Sequence, residues 1–259
     1  MISGLSILAV IPARGGSKGI PFKNLKKVGG KPIVELAAQV ASSVKLIDRV
    51  VVSTDSEKIA NAAINGGASF PFRRPKILSG DKVSDLEVLT HALNEMEYQD
   101  KKKYDIVVML QPTSPLRTTQ HVVDSIEMFA NNDYDSVWTV SETDSKNHPL
   151  KQLIISQDSQ LNYYDQEGSK IIARQQLEPV YHRNGIAYVI SRECLIEKKS
   201  IMGGETGVVI CKGDHVSIDT ELDLSFVRWM VSKGYHAPSC EAILVPQGYC
   251  IGKCWRYPK

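Results

Sequence analysis

The chain has 259 residues, a formal net charge of +2 and 42% hydrophobic residues, enough to bury a core without staples. Charges of both signs are interspersed, so nothing argues for a nucleic-acid or membrane surface, and no stretch is long and apolar enough to span a bilayer. Five cysteines (Cys194, Cys211, Cys240, Cys250, Cys254) are odd in number and scattered, which suits free thiols in a reducing cytoplasm better than a disulfide framework.

The first apolar run, over residues 5–13, has no Lys or Arg before it within the chain and leads straight into a charged loop. It is read as a strand over 7–11, not as a signal core. Helix-like and strand-like patterns then alternate. Helices are expected near 33–44, 56–65, 84–97 and 119–131, and strands over 49–53, 106–110 and 136–140. Alternation of this kind predicts βαβ units: an α/β fold with a mostly parallel sheet covered on both faces. From about 141 to 182 the pattern changes to short alternating runs, at 151–156 and 161–164, broken by polar turns. These predict a β-rich excursion from the main sheet. Returning strands are expected over 186–190 and 208–212, and a last helix over 222–233. Thr220-Glu221-Leu222-Asp223 is a capping-box-like start for that helix. The expected domain thus covers 1–233, followed by a tail over 234–259 with no clear period.

The segment Pro12-Ala13-Arg14-Gly15-Gly16-Ser17-Lys18-Gly19-Ile20-Pro21-Phe22-Lys23-Asn24 carries the chemistry. Glycines let backbone approach a ligand, and Arg14, Lys18 and Lys23 supply charge for phosphate oxygens. It matches neither GxxxxGK[ST] nor GxGxxG, so it is a phosphate loop of another kind or a solvated basic turn. Gln111-Pro112-Thr113-Ser114-Pro115-Leu116-Arg117 is stiffened by two prolines and leaves Gln111 and Arg117 for directional contacts; its plain alternative is an ordinary turn. Phe72-Arg73-Arg74-Pro75 with Ser84 and Asp85 places two cations and a hydroxyl before a helix, but taken alone it reads more readily as a surface Arg pair beside a helix cap than as a binding element. Arg174 and Arg183 suit bidentate carboxylate recognition. Asn184-Gly185 is also a strong turn signal, so the plain alternative there is a hairpin.

Ser217-Ile218-Asp219 is read as a strand end carrying an acid that a hard divalent cation could use together with phosphates and water. Asp223 has a competing role in the first helical turn, which favours Asp219 as the ligand. Cys250 and Cys254 have no second ligand pair at metal-site spacing. In open α/β sheets, ligands sit beyond the carboxyl ends of the strands, where the loops after 7–11 and 106–110 and the acid at 219 would meet.

Taken together, these segments, with Tyr181-His182-Arg183-Asn184-Gly185 and Ile218-Asp219-Thr220-Glu221-Leu222-Asp223-Leu224, resemble the acylneuraminate cytidylyltransferases (CMP-sialic acid synthetases) over about 7–232. The resemblance implies a Rossmann-like nucleotidyltransferase sheet and a cytoplasmic homodimer whose excursion reaches the neighbouring active site. It implies CTP and a nine-carbon 2-keto acid sugar as substrates, with Mg²⁺ as cofactor. Arg14, Lys18 and Lys23 would hold the triphosphate with Asn24 beside them, and Asp219 would bind Mg²⁺. Gln111 would contact the sugar, Arg174 would face it from the excursion, and the cytosine would lie near Arg74 and Ser84. Asn184 belongs to the same set of substrate contacts.

Two departures stand out. Ser217 replaces a common second aspartate at the metal, and Asp85 stands where a hydroxyl often does. Alternative acceptors are legionaminate, pseudaminate or 3-deoxy-manno-octulosonate. A nucleotide-sugar binding protein whose catalysis has lapsed is the reading from another class. The base that takes the sugar proton, a metal-bound hydroxide or Asp219, stays open.

Overall fold

The computed structural model describes residues 4–235. Of the expected tail, Gly234 and Tyr235 fall within that range; Cys240, Cys250 and Cys254 lie outside the described residues.

Strand β1 (Ile7–Pro12) is buried over all but its last residue. After β2 (Lys27–Val28) and β3 (Lys31–Pro32) come α1 (Ile33–Ser43), β4 (Arg49–Ser53) and α2 (Glu57–Asn65). Helix α3 (Asp85–Asp100) leads to β5 (Ile106–Met109), α4 (Thr119–Ala130) and β6 (Ser136–Glu142). The excursion holds the ribbon β7 (Leu153–Ile155) and β8 (Leu161–Tyr163) with short 3₁₀ turns. The chain then returns as β9 (Tyr181–Ser191), α5 (Arg192–Ile196), β10 (Thr206–Ile210) and α6 (Glu221–Ser232).

The main sheet has the order β10-β6-β9-β5-β1-β4. β4 and β5 flank β1 in parallel, and β10 runs parallel to β6. Strand β9 is antiparallel to both its neighbours, β5 and β6. The sheet is therefore mostly parallel with one reversed central strand, inserted where the chain comes back from the excursion.

Alternate residues of β1 feed two separate cores. Ile7, Ala9 and Ile11 pack with apolar positions of α1, α2 and α4. Leu8 and Val10 face Leu89, Leu93 and Met96 of α3 and Cys194 and Leu195 of α5. Two covered faces explain the uninterrupted apolar run, because both sets of side chains leave water. Burying each such Leu, Ile or Val contributes about 1.5–3 kcal/mol.

Three differences from the expectations have physical reasons. Ser217-Ile218-Asp219, read as a strand end, does not end a strand; β10 is the sheet edge, and the chain turns away from it. Asn184-Gly185 is not a hairpin turn. It lies inside β9, where the register against β6 shifts and Gly185 has a φ of +70°. Cys211 is disulfide-bonded, so the free-thiol expectation fails for it, whereas Cys194 is a free, buried thiol. Among the described residues, no helix is long and apolar enough to cross a membrane.

Candidate active site

The loop after β1 is pinned from behind before any cation is placed. Ala13 N–H donates to Ser53 O at 2.9 Å, and Gly15 N–H to Asp55 Oδ1 at 2.7 Å, which fixes the loop to the end of β4. Buried Asn24 donates its Nδ2 to Arg14 O at 3.0 Å, tying the loop's far end back to its start. Asn24 thus shapes the loop as well as lining the cavity.

A third apolar cluster brings the distant motifs together. Ile20 of the phosphate loop, Leu116 of the Pro-rich loop and Ile218 are all buried in it with Leu224, Val227 and Met230 of α6. Ile218 N–H donates to Thr113 O at 2.8 Å, which locks the 217–219 segment to the Pro-rich loop. Gly19 sits so close that a Cβ there would lie 2.8 Å from Asp219 O. Here only glycine lets the two backbones approach.

Between these loops lies a cavity of about 680 Å³. Arg14, Lys18, Lys23, Asn24, Ser217 and Asp219 line one part of it, and Arg74, Asp85, Gln111, Arg183 and Asn184 line another. The volume falls within the usual range for small-ligand sites, but the lining is far more charged than most.

Each cation of the loop meets an acid. Lys23 Nζ lies 2.9 Å from Asp219 Oδ1. Arg14 Nη1 donates to Asp81 Oδ1 at 2.5 Å, and Lys18 Nζ lies 2.5 Å from Asp81 Oδ2. Asp223 takes hydrogen bonds from Asp219 N–H, Thr220 N–H and the Thr220 hydroxyl, so it caps α6 and leaves Asp219 facing the cavity. Ser217 Oγ donates to the other Asp219 oxygen at 3.4 Å.

Two arginines at the site are buried. Arg74 is 4% exposed and is held by Ser53, with Nε donating to Ser53 Oγ at 2.9 Å and Nη2 to Ser53 O. Burial pulls its pKa down to about 10. Arg117 is buried behind Gln111; its Nη2 donates to Gln111 O and to Gly185 O, the latter at 2.8 Å. Burial lowers its pKa to about 9, and its Nε and Nη1 have no hydrogen-bond partner among the described residues. Asp85 reaches Gln111 Nε2 at 3.5 Å; burial raises its carboxyl, against the pull of Arg183 and Arg74.

Arg14, Lys18, Lys23, Asn24, Arg74, Gln111, Asn184 and Asp219 therefore share one cavity. Two sequence candidates do not line it. Ser84 is the N-cap of α3, its hydroxyl and N–H both donating to Glu87 Oε2. Arg174 opens a 3₁₀ turn in the excursion and is exposed. Asn184 lines the wall but is largely committed to the bulge: Oδ1 accepts from Thr139 Oγ1 and Ile186 N, and Nδ2 donates to Ser141 Oγ. One of its N–H groups is left for a ligand. Asp81 escaped the reading altogether, because a charge in a polar turn has no distinguishing pattern. His182 also lines the cavity, beside Arg183.

A mostly parallel α/β sheet whose strand ends present a cationic glycine loop to one polar cavity is the build of a nucleotide-handling transferase. The sequence profile described as Cytidylyltransferase matches residues 8–222, and the chain belongs to that family of nucleotidyltransferases. It is 32% identical to the CMP-N,N'-diacetyllegionaminic acid synthase of Legionella pneumophila, over 90% of this chain and 99% of that protein. It is 31% identical to the pseudaminic acid cytidylyltransferase of Campylobacter jejuni, over 85% of this chain and 94% of that one. With the N-acylneuraminate cytidylyltransferase of Streptococcus agalactiae it shares 31% identity over 85% of its own length, but it spans about half (52%) of that longer protein. Among solved structures, CMP:2-keto-3-deoxy-manno-octonic acid synthetase complexed with CTP has the same fold. It gives a TM-score of 0.65 at 18% identity and covers 89% of this chain and 100% of that one.

Proposed function

We propose that this cytidylyltransferase transfers CMP from CTP to the anomeric hydroxyl of a nonulosonic acid, a nine-carbon sialic-acid-like 2-keto acid sugar, and releases pyrophosphate. The observation that carries this reading is the convergence of Arg14, Lys18 and Lys23 on one cavity with Asp219, Arg74 and Arg183. The loop cations suit the triphosphate, and Arg183 suits the carboxylate of a keto-acid sugar.

In this reading Arg14, Lys18 and Lys23 stabilise charge that builds on the leaving pyrophosphate oxygens. Because these groups are already oriented, they need little reorganisation at the moment of transfer. Gln111, held at its carbonyl by Arg117, orients the acceptor hydroxyl for in-line attack; positioning supplies much of the remaining rate. Mg²⁺ is the proposed cofactor. One carboxylate and one hydroxyl, Asp219 and Ser217, suit a small hard cation that takes its other ligands from phosphate and water. Bound there, it would neutralise phosphate charge.

We also infer a homodimer formed through the excursion. Leu153, Ile154, Ile155, Leu161 and Ile172 are exposed in the single chain, Ile172 at 93%, a concentration of apolar surface that monomers rarely keep in water. Arg174 lies in the same segment, where it could serve a neighbour's site. Because CTP is a cytoplasmic metabolite, the reaction would run in the cytoplasm.

The test is pyrophosphate release from CTP and Mg²⁺ with N-acetylneuraminate, legionaminate, pseudaminate and 3-deoxy-manno-octulosonate in turn. Release with one nonulosonate is the expected outcome and names the acceptor. Release with the octulosonate alone, or with none while CTP still binds, would overturn the proposal.

A further inference from the structure

Asp81 has no task in the reaction as described above, yet it makes the closest ion pairs of the phosphate loop. It lies in the turn between a 3₁₀ segment (Lys76–Leu78) and Ser84, the cap of α3. The turn is tethered by Val83 N–H to Gly80 O at 3.4 Å and, just upstream, by Ser79 Oγ to Pro75 O at 3.1 Å. The Asp81 side chain divides its two oxygens between Arg14 and Lys18, each at 2.5 Å. A carboxylate bridging two cations with one oxygen each has the charge and reach of a bridging phosphate.

These pairs are displaceable. The Asp81 side chain is 38% exposed, Arg14 32% and Lys18 84%, so each bond is an exposed ion pair of small net strength. The two cations, Lys18 first, hold the Asp81 carboxyl below its ordinary range, so it stays charged at neutral pH. Any anion that takes Arg14 and Lys18 together must displace this carboxylate.

We propose that Asp81 is an internal competitor for the phosphate site: it occupies Arg14 and Lys18, weakens capture of phosphate anions there and hastens release of pyrophosphate. The inference rests on the reading that this loop holds the triphosphate. An ordinary binding residue strengthens binding when present; Asp81 weakens it. An anion with several charges takes both cations at once, whereas a monophosphate replaces the carboxylate with little gain. Asp81 therefore also biases the loop toward polyphosphates.

Inorganic pyrophosphate titrated into the full-length protein, by calorimetry, tests this by sign. Asp81→Asn keeps the size and removes the charge, and it should bind pyrophosphate about five-fold more tightly than the parent, as expected for two exposed ion pairs. Asp81→Glu should return to the parental affinity, and Lys18→Ala should bind more weakly. Equal or weaker binding by a folded Asp81→Asn, checked by its melting curve, would overturn the proposal. If the parent and Asp81→Asn fail to bind pyrophosphate at all, the phosphate-site reading itself falls, a result distinct from a wrong sign.

Discussion

Ile218 and Ile155 both stand outside the main sheet, yet the first is wholly buried and the second is 74% exposed. Around Ile218, three loops far apart in sequence share one apolar cluster, so the cavity wall is held by the chain's own packing. Around Ile155, the two-stranded ribbon has no such backing: every residue of β7 and β8 is exposed. A two-stranded hairpin alone is marginal in water, so the excursion needs a second surface. The cavity wall around Ile218 is thus held within one chain, while the ribbon around Ile155 leaves apolar surface uncovered, as the proposed dimer requires.

The largest expected effect comes from breaking the closest approach on the secured side. Gly19→Ala forces a Cβ against Asp219 O, and a shift of about 1 Å between loop and acid should cut kcat/KM about 100-fold. The melting temperature should also fall by a few degrees, because relieving the backbone contact disturbs Ile20 and Ile218 beside it; unchanged turnover would show that the approach has no catalytic meaning. On the excursion, Ile155→Asp should halve the mass measured by light scattering and lower the melting temperature, because association stabilises the folded chain. A dimer that persists would move the interface elsewhere.

The smallest expected effect sharpens the comparison through pH. His215 packs edge-on against buried His121 at 5.1 Å; burial, and then His121, lower its pKa from 6.5 to about 4. Between those values the unfolded chain binds more protons than the native one, so stability rises with pH across the window and falls on acidification through it. His215→Gln should flatten the dependence between pH 6.5 and 4 seen in thermal melts; an unaltered slope would assign acid lability to other groups.

The parallel strands were legible in the sequence because burial on both faces leaves no polar position in them, as at Leu8 and Val10. The glycine-rich basic loop after β1 was legible because glycines and cations are concentrated there, and Arg14, Lys18 and Lys23 do line the cavity. Less was legible where the tertiary setting decides. Asn184-Gly185 has the composition of a tight turn, but the pairing with β6 absorbs its positive φ as a bulge. Ser217-Ile218-Asp219 reads as a strand end, yet Ile218 gives its N–H to Thr113 instead of a sheet. Asp81 carries no pattern at all; only its distance to Arg14 and Lys18 gives it a meaning.

The apolar cluster around Ile20, Leu116 and Ile218 has a consequence for the timing of synthesis. Its last members, Val227 and Met230, belong to α6, more than 200 residues after the phosphate loop they support. A chain still emerging from the ribosome can possess Arg14, Lys18 and Lys23 while having nothing to hold them in register with the acid at 219. The cavity wall is complete only once α6, the last helix among the described residues, has docked.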